Sequence, residues 1–243
     1  MNTGLRLTTA LAGLVLTTSL HASYDGTLTI SGGPNQVDVG GEFTAAANAN
    51  PSSAGLGTFQ TFCIEDSEMI GLGASYYYRI NSGAIAGGVS GVDAIDAATG
   101  MPKDNISIGT AWLYSQFRAG TLAGYAAGLP GNAGVLQDAI WMLEGEYGPT
   151  AKVHTYDPTN PYLVAAKAAL GMTDAQLQAD SNGAYGVVSL NLYTSLDQNG
   201  NPTGLAQDQL AIVPEPTTII AAALLVLPFG VSTLRFRRKQ RDA

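Results

Sequence analysis

Cys63 is the only cysteine in 243 residues, and a lone thiol has few chemical options. It packs as a small hydrophobe, pairs with another chain, acts as a nucleophile, or is capped by a second side chain. The count excludes an internal disulfide framework, a zinc finger and a CxxC redox centre. His154 is the only histidine beyond the first 22 residues, and Cys63, His154 and Asp157 together would be the set of a cysteine hydrolase. However, Lys152 to Pro158 reads as a polar loop, where a solvated histidine is the better account. One histidine also leaves a catalytic zinc site short of ligands. Asp197-Gln198-Asn199-Gly200-Asn201 has the start of a calcium loop with Asp208 at the twelfth position, but Pro202 sits where the sharp-turn glycine belongs. A hairpin turn is the better reading there. The expectation is therefore no enzyme, no catalytic residues, no metal and no cofactor.

The elements that must carry these residues follow from periodicity. Strands are expected over Tyr24–Ile30, Gln36–Phe43, Phe59–Ile64 and Ser75–Ile80, with Ala45–Gly57 a small-residue loop. Ser82–Gly100 has no clear pattern. A helix is expected over 107–119, ending at Gly120, and a second from about Gly134, where Leu136, Ala139, Ile140 and Leu143 recur at helical spacing. On that second helix Gln137 and Trp141 are i, i+4 on one face, beside the Leu136/Ile140 stripe. A third helix, Pro161–Leu170, has Asn160 as cap and Gly171 as stop. Thr173-Asp174-Ala175-Gln176 opens a short fourth with a capping box. Val187–Tyr193 and Leu205–Val213 return to strand. This order predicts an α+β fold: an antiparallel β-sandwich or barrel with a helical segment inserted in it or packed beside it.

Composition narrows the setting. Charged residues are 12%, about half the usual share near 25%. The net charge of −8 and a pI of about 4.5 argue against nucleic acid as a partner. The charge is uneven: residues 23–213 hold 5 basic and 17 acidic residues, while 214–243 hold 5 basic and 2 acidic. Residues 1–22 have the arrangement of a signal peptide, with Arg6, an apolar stretch from Leu7 to Leu16 and a small residue at Ala22. At the other end, 217–234 is an apolar run near the minimum for one membrane helix, followed by Arg235, Arg237, Arg238, Lys239 and Arg241. By the positive-inside rule that tail stays cytoplasmic and the acidic middle is exported.

Pro214, Glu215 and Pro216, then a short membrane helix, then the basic cluster resemble a PEP-CTERM sorting signal. The resemblance covers about 30 residues, with its three parts in order: motif 214–216, helix 217–234 and basic tail 235–241. It implies a Gram-negative envelope, transient residence in the inner membrane and processing by an exosortase. It also implies delivery to the cell surface or an extracellular polysaccharide matrix.

A second resemblance lies in the middle, domain 23–213. Phe62-Cys63-Ile64 on a strand, followed by Gln137-Asp138-Ala139-Ile140-Trp141 on a helix, resembles the thioester domains of bacterial surface adhesins. The likeness reaches from about Phe59 to Glu144. It implies a bond between the Cys63 sulfur and the Gln137 side chain, 74 residues apart, with Phe62 and Trp141 shielding it. The free N–H groups of the helix amino end are expected to stabilise the oxyanion. Such a domain attaches once to an amine-bearing protein or amino sugar. The alternative is a non-covalent structural or binding protein of the exopolysaccharide matrix with the same sorting signal.

Overall fold

The computed structural model describes residues 24–37, 40–49, 56–86, 93–126 and 129–213. The expected signal peptide, sorting motif, membrane helix and basic tail lie outside these residues. Among the described residues no helix is long and apolar enough to cross a membrane.

The frame is one antiparallel six-stranded sheet in the order β3-β2-β1-β4-β8-β9. Its strands are β1 (Gly26–Gly32), β2 (Phe43–Ala49), β3 (Gly57–Thr61), β4 (Ser75–Asn81), β8 (Val187–Leu196) and β9 (Pro202–Ile212). Alternation sets the inner face: Leu28 and Ile30 of β1, Ala45 and Ala47 of β2, and Tyr76 and Tyr78 of β4 are buried together. Between β4 and β8 the chain leaves the sheet. It forms a small sheet, β5-β7-β6, from β5 (Gly83–Ile85), β6 (Ala94–Ile95) and β7 (Pro102–Asn105). It then forms helices α1 (Ile108–Arg118), α2 (Pro130–Leu143), α3 (Pro161–Leu170) and α4 (Asp174–Leu177). The α+β class and the inserted helical segment agree with the sequence reading.

The sheet curls until its edges meet. Past the end of β3, Leu210 N–H donates to the Phe62 carbonyl at 3.1 Å and Ile64 N–H to the Asp208 carbonyl at 3.1 Å. Cys63 and Gln209 face each other between these bonds as an antiparallel bridge. Tyr114 of α1 secures the seam, its hydroxyl 2.8 Å from the Gln60 carbonyl and 2.9 Å from that of Leu210. Residues 62–64 therefore belong to both edges of the sheet. Adjacent side chains of this segment point to opposite sides: Phe62 and Ile64 join the core beneath the helices, and Cys63 joins the core of the sheet.

Several local expectations hold to the residue. Asn160 caps α3 as expected, accepting from Tyr162 N–H at 2.9 Å; α1 begins beside Ser107, whose hydroxyl accepts from Thr110 N–H at 3.1 Å, a cap that was not expected. Gly171 closes α3 at φ 65°, and Thr173 and Gln176 form the expected capping box. Two expectations fail. Strand β2 starts where the Gln36–Phe43 strand was expected to end, and it runs through the alanine-rich stretch expected to be a loop. Alanine has weak strand preference, but β2 lies between β1 and β3, and partners on both sides override it. Helix α2 begins at Pro130, not near Gly134, which moves Gln137 into the middle of the helix.

Candidate functional site

Cys63 and Gln137 are neighbours in space. The Gln137 carboxamide lies flat against the Cys63 backbone: its Oε1 accepts from Cys63 N–H at 3.1 Å, and its Nε2 donates to the Cys63 carbonyl at 2.8 Å. Cys63 is 0% exposed, Gln137 1% and Trp141 3%, so the arrangement is closed to bulk solvent. A carboxamide on a helix offers one donor and one acceptor to an extended strand, which is how a strand would pair. The two contacts therefore hold the Gln137 carbonyl in one orientation beside the residue that bears the thiol.

The surroundings are apolar on the sheet side and carry Gln209, Glu65, Asp66 and Lys152 around the sulfur. Trp141 packs in the same core as Cys63, one helical turn beyond Gln137. Gly40 presses on both: a methyl group there would meet the Trp141 ring at 2.9 Å and Gln137 Cγ at 3.0 Å. Lys152 covers the outer side, its Nζ 5.2 Å from the centre of the Trp141 ring and 3.4 Å from Asp66 Oδ1. Phe62 lies on the other side, edge-on to Phe117 at 5.0 Å. Of the two residues expected to shield the pair, Trp141 packs beside it with Gly40, whereas strand alternation puts Phe62 in the core on the opposite side.

Burial pushes the Cys63 thiol up to about 12, with Gln209 acting in the opposite direction. Gln209 Nε2 lies 3.5 Å from Sγ. At neutral pH the group is therefore a thiol, and any attack by sulfur must deliver its proton to the leaving group. The expected oxyanion donors are also corrected. With α2 starting at Pro130, Gln137 is far from the free N–H groups of the helix start. The N–H aimed at its carbonyl oxygen is that of Cys63 itself.

His154 and Asp157 form no hydrogen bond with Cys63. Asp157 instead accepts from the Thr159 N–H and hydroxyl at 2.9 and 2.6 Å, closing a turn. The Asp197 loop is the expected hairpin between β8 and β9, with Asp197 accepting from Asn199 and Asn201 N–H, both at 2.8 Å. Asp208 is not near that loop but deep at the seam.

The sequence places Glu65 and Asp66 close behind Cys63, but does not show the carboxylate cluster that Glu65 joins there. Glu65 and Asp208 are buried, Glu68 is partly so, and one carboxylate oxygen of each lies within 4.8 Å of the others. Burial pushes Glu65 and Asp208 well above the carboxylate range, each also raised by its acidic neighbours. Burial and Glu146 push Glu68 up to about 7. The available signal was Glu65-Asp66-Ser67-Glu68, three acids in four residues, and Asp208 as the one charged residue of the strand over 205–213. No family model matches this chain, and no curated protein or solved structure matches it significantly.

Proposed function

We propose that this is an exported cell-surface or extracellular-matrix protein, sorted by an exosortase, that forms an internal Cys63–Gln137 thioester and attaches through it to an amine. The observation that carries the reading is the paired hydrogen bonding of the Gln137 carboxamide to the Cys63 backbone, buried away from bulk solvent.

The chemistry proceeds in two acyl transfers. In the first, Cys63 Sγ attacks Gln137 Cδ, and the Cys63 N–H stabilises the negative charge that develops on Oε1. The C–N bond breaks, and the thiol proton leaves with the nitrogen as ammonia. In the second, an amine attacks the same carbon, an amide forms, and the sulfur takes back a proton as a free thiol. Burial serves both stages. It keeps water from the acyl group, and it makes a naked thiolate a poor leaving group until the amine supplies a proton. Each chain reacts once, so the protein is a reagent and not a turnover catalyst. The acceptor is a protein lysine or an amino sugar.

The test is intact mass. The freshly isolated chain, allowing for any removed signal segments, is expected to be lighter than its sequence by one ammonia. Methylamine should then add its full mass, and Cys63→Ala should show neither change. A wild-type chain at full mass that takes up no methylamine would leave a non-covalent matrix module as the better description.

A further inference from the structure

The geometry points to a calcium site formed by Glu65, Glu68 and Asp208, at the seam where the segment after β3 meets β9. It stands independently of the thioester reading.

Asp208 is positioned before any ion arrives. Between the pairs Leu190–Gln209 and Leu192–Ala206, two residues of β9 (Gln207 and Asp208) oppose one of β8 (Asn191). This bulge turns the Asp208 carboxylate inward. There its Oδ2 accepts from Ile85 N–H at 2.9 Å and from the Asn191 amide, and its Oδ1 from Leu192 N–H at 2.8 Å. Three donors use three of about four lone-pair directions and leave one on Oδ1. Glu65 approaches from the other strand. Its Oε2 accepts from Asp208 N–H at 3.1 Å, while Oε1 has no hydrogen-bond partner. Glu65 is 2% exposed, so that oxygen is cut off from bulk water. Glu68 brings a second buried oxygen without a donor, Oε2.

Three carboxylates at this spacing repel one another unless protons or a cation intervene. Neither ion pair of the described residues involves them: Lys152 pairs with Asp66, and Lys167 with Asp174. The orphaned Glu65 oxygen marks a missing positive partner. A ligand set made only of carboxylate oxygens suits a hard cation. Oxygens on opposite sides of a calcium ion are about 4.6–5.2 Å apart, and on opposite sides of magnesium about 4.0–4.2 Å. The three oxygens, all within 4.8 Å of one another, fall inside the span of calcium's larger and more flexible shell. Glu68, the partly exposed member, gives the ion a way in and leaves room for water to complete its shell. Bound calcium would tie the Glu65–Glu68 segment to β9, and so hold the stretch that carries Cys63.

The test is calcium titration of the full chain, purified in detergent and stripped with EDTA, read by calorimetry and by melting temperature. One saturable site and a raised melting temperature are expected. Glu68→Gln should weaken binding by roughly 10-fold or more, since loss of an outer-shell partner alone costs that much. Because Glu68 is partly exposed, this variant is expected to fold, and its melting temperature in EDTA verifies that. Absence of calcium binding to folded wild type at millimolar concentration would assign the cluster to shared protons. Equal affinity in Glu68→Gln would move the ion elsewhere, and tighter binding of magnesium would overturn the choice of ion.

Discussion

Two residues of one short segment end in opposite situations. At Cys63 the backbone N–H and carbonyl both meet a neutral amide, and both of its functional atoms are used. At Glu65 a carboxylate equally buried meets two other carboxylates, and one of its oxygens meets nothing. Both lie on the seam where the sheet closes on itself. The difference shows how differently a fold treats neutral and charged polar groups. A neutral amide is satisfied by the two strand groups that the sheet edge leaves over. A set of like charges cannot be satisfied by the backbone alone, because the backbone offers N–H donors but no full positive charge. The first arrangement needs nothing further to be stable, whereas the second is incomplete without protons or a cation.

Substitution at Gln137 removes the neutral arrangement altogether. Gln137→Glu keeps the shape but removes ammonia as a leaving group and, relative to Cys63→Ala, in which the amide persists, turns a donor towards the Cys63 carbonyl into an acceptor. Intact mass should show no thioester. Urea unfolding should show a loss of about 1–3 kcal/mol, the usual cost of a buried unpaired group. A preserved mass deficit in that variant would sink the pairing.

At the charged end, Asp208→Ala strips an acceptor from Ile85 N–H, Leu192 N–H and the Asn191 amide at once. The expected loss is on the order of 3–5 kcal/mol by denaturant unfolding, and a change below about 1 kcal/mol would mean that these donors find other partners. Gly40→Ala tests the wall of the neutral end. Its methyl group must displace the Trp141 ring or Gln137, at about 1–3 kcal/mol. Hydrolysis of the thioester, followed by mass over time, should accelerate in the same variant. Tyr114→Phe removes the hydroxyl between the Gln60 and Leu210 carbonyls and should cost about 1 kcal/mol without altering the mass deficit.

The gentlest test is pH. Burial raises Glu68 and Glu144 to about 7 and Asp104 to about 8, each with acidic neighbours adding to the shift. An acid raised in the folded state holds its proton longer there than in the unfolded chain. Folding then binds protons between the ordinary carboxylate range and about pH 8, and stability falls as pH rises through that window. In EDTA the melting temperature should be lower at pH 8 than at pH 5, and calcium should restore part of it at pH 8. A melting temperature that rises over the same interval would show that these carboxylates ionise without strain in the fold.

How much was legible in advance differs by element. Helices α3 and α4 announced themselves because their caps are local: Asn160, Gly171 and Thr173 act within a few residues of chain. Strand β2 did not, because a run of alanine acquires strand character only from neighbours on both sides. The start of α2 was hidden by Gly131 and Gly134, which weaken a helical pattern without ending it. Gln137 was legible as a residue type on a helix face, but its donor was misplaced with that start.

The single thiol, the α+β order of elements, the acidic middle between two basic ends, and the face shared by Gln137 and Trp141 can all be read along the chain. These are properties of composition and short-range spacing. Only the tertiary structure decided that residues 62–64 complete the sheet, that Cys63 turns inward while Phe62 turns away, and that Asp208 meets Glu65 across 143 residues. Those outcomes depend on which edges pair when a sheet curls and on where a bulge falls. Both are set by the packing of distant strands against the inserted helices, and no local pattern encodes them.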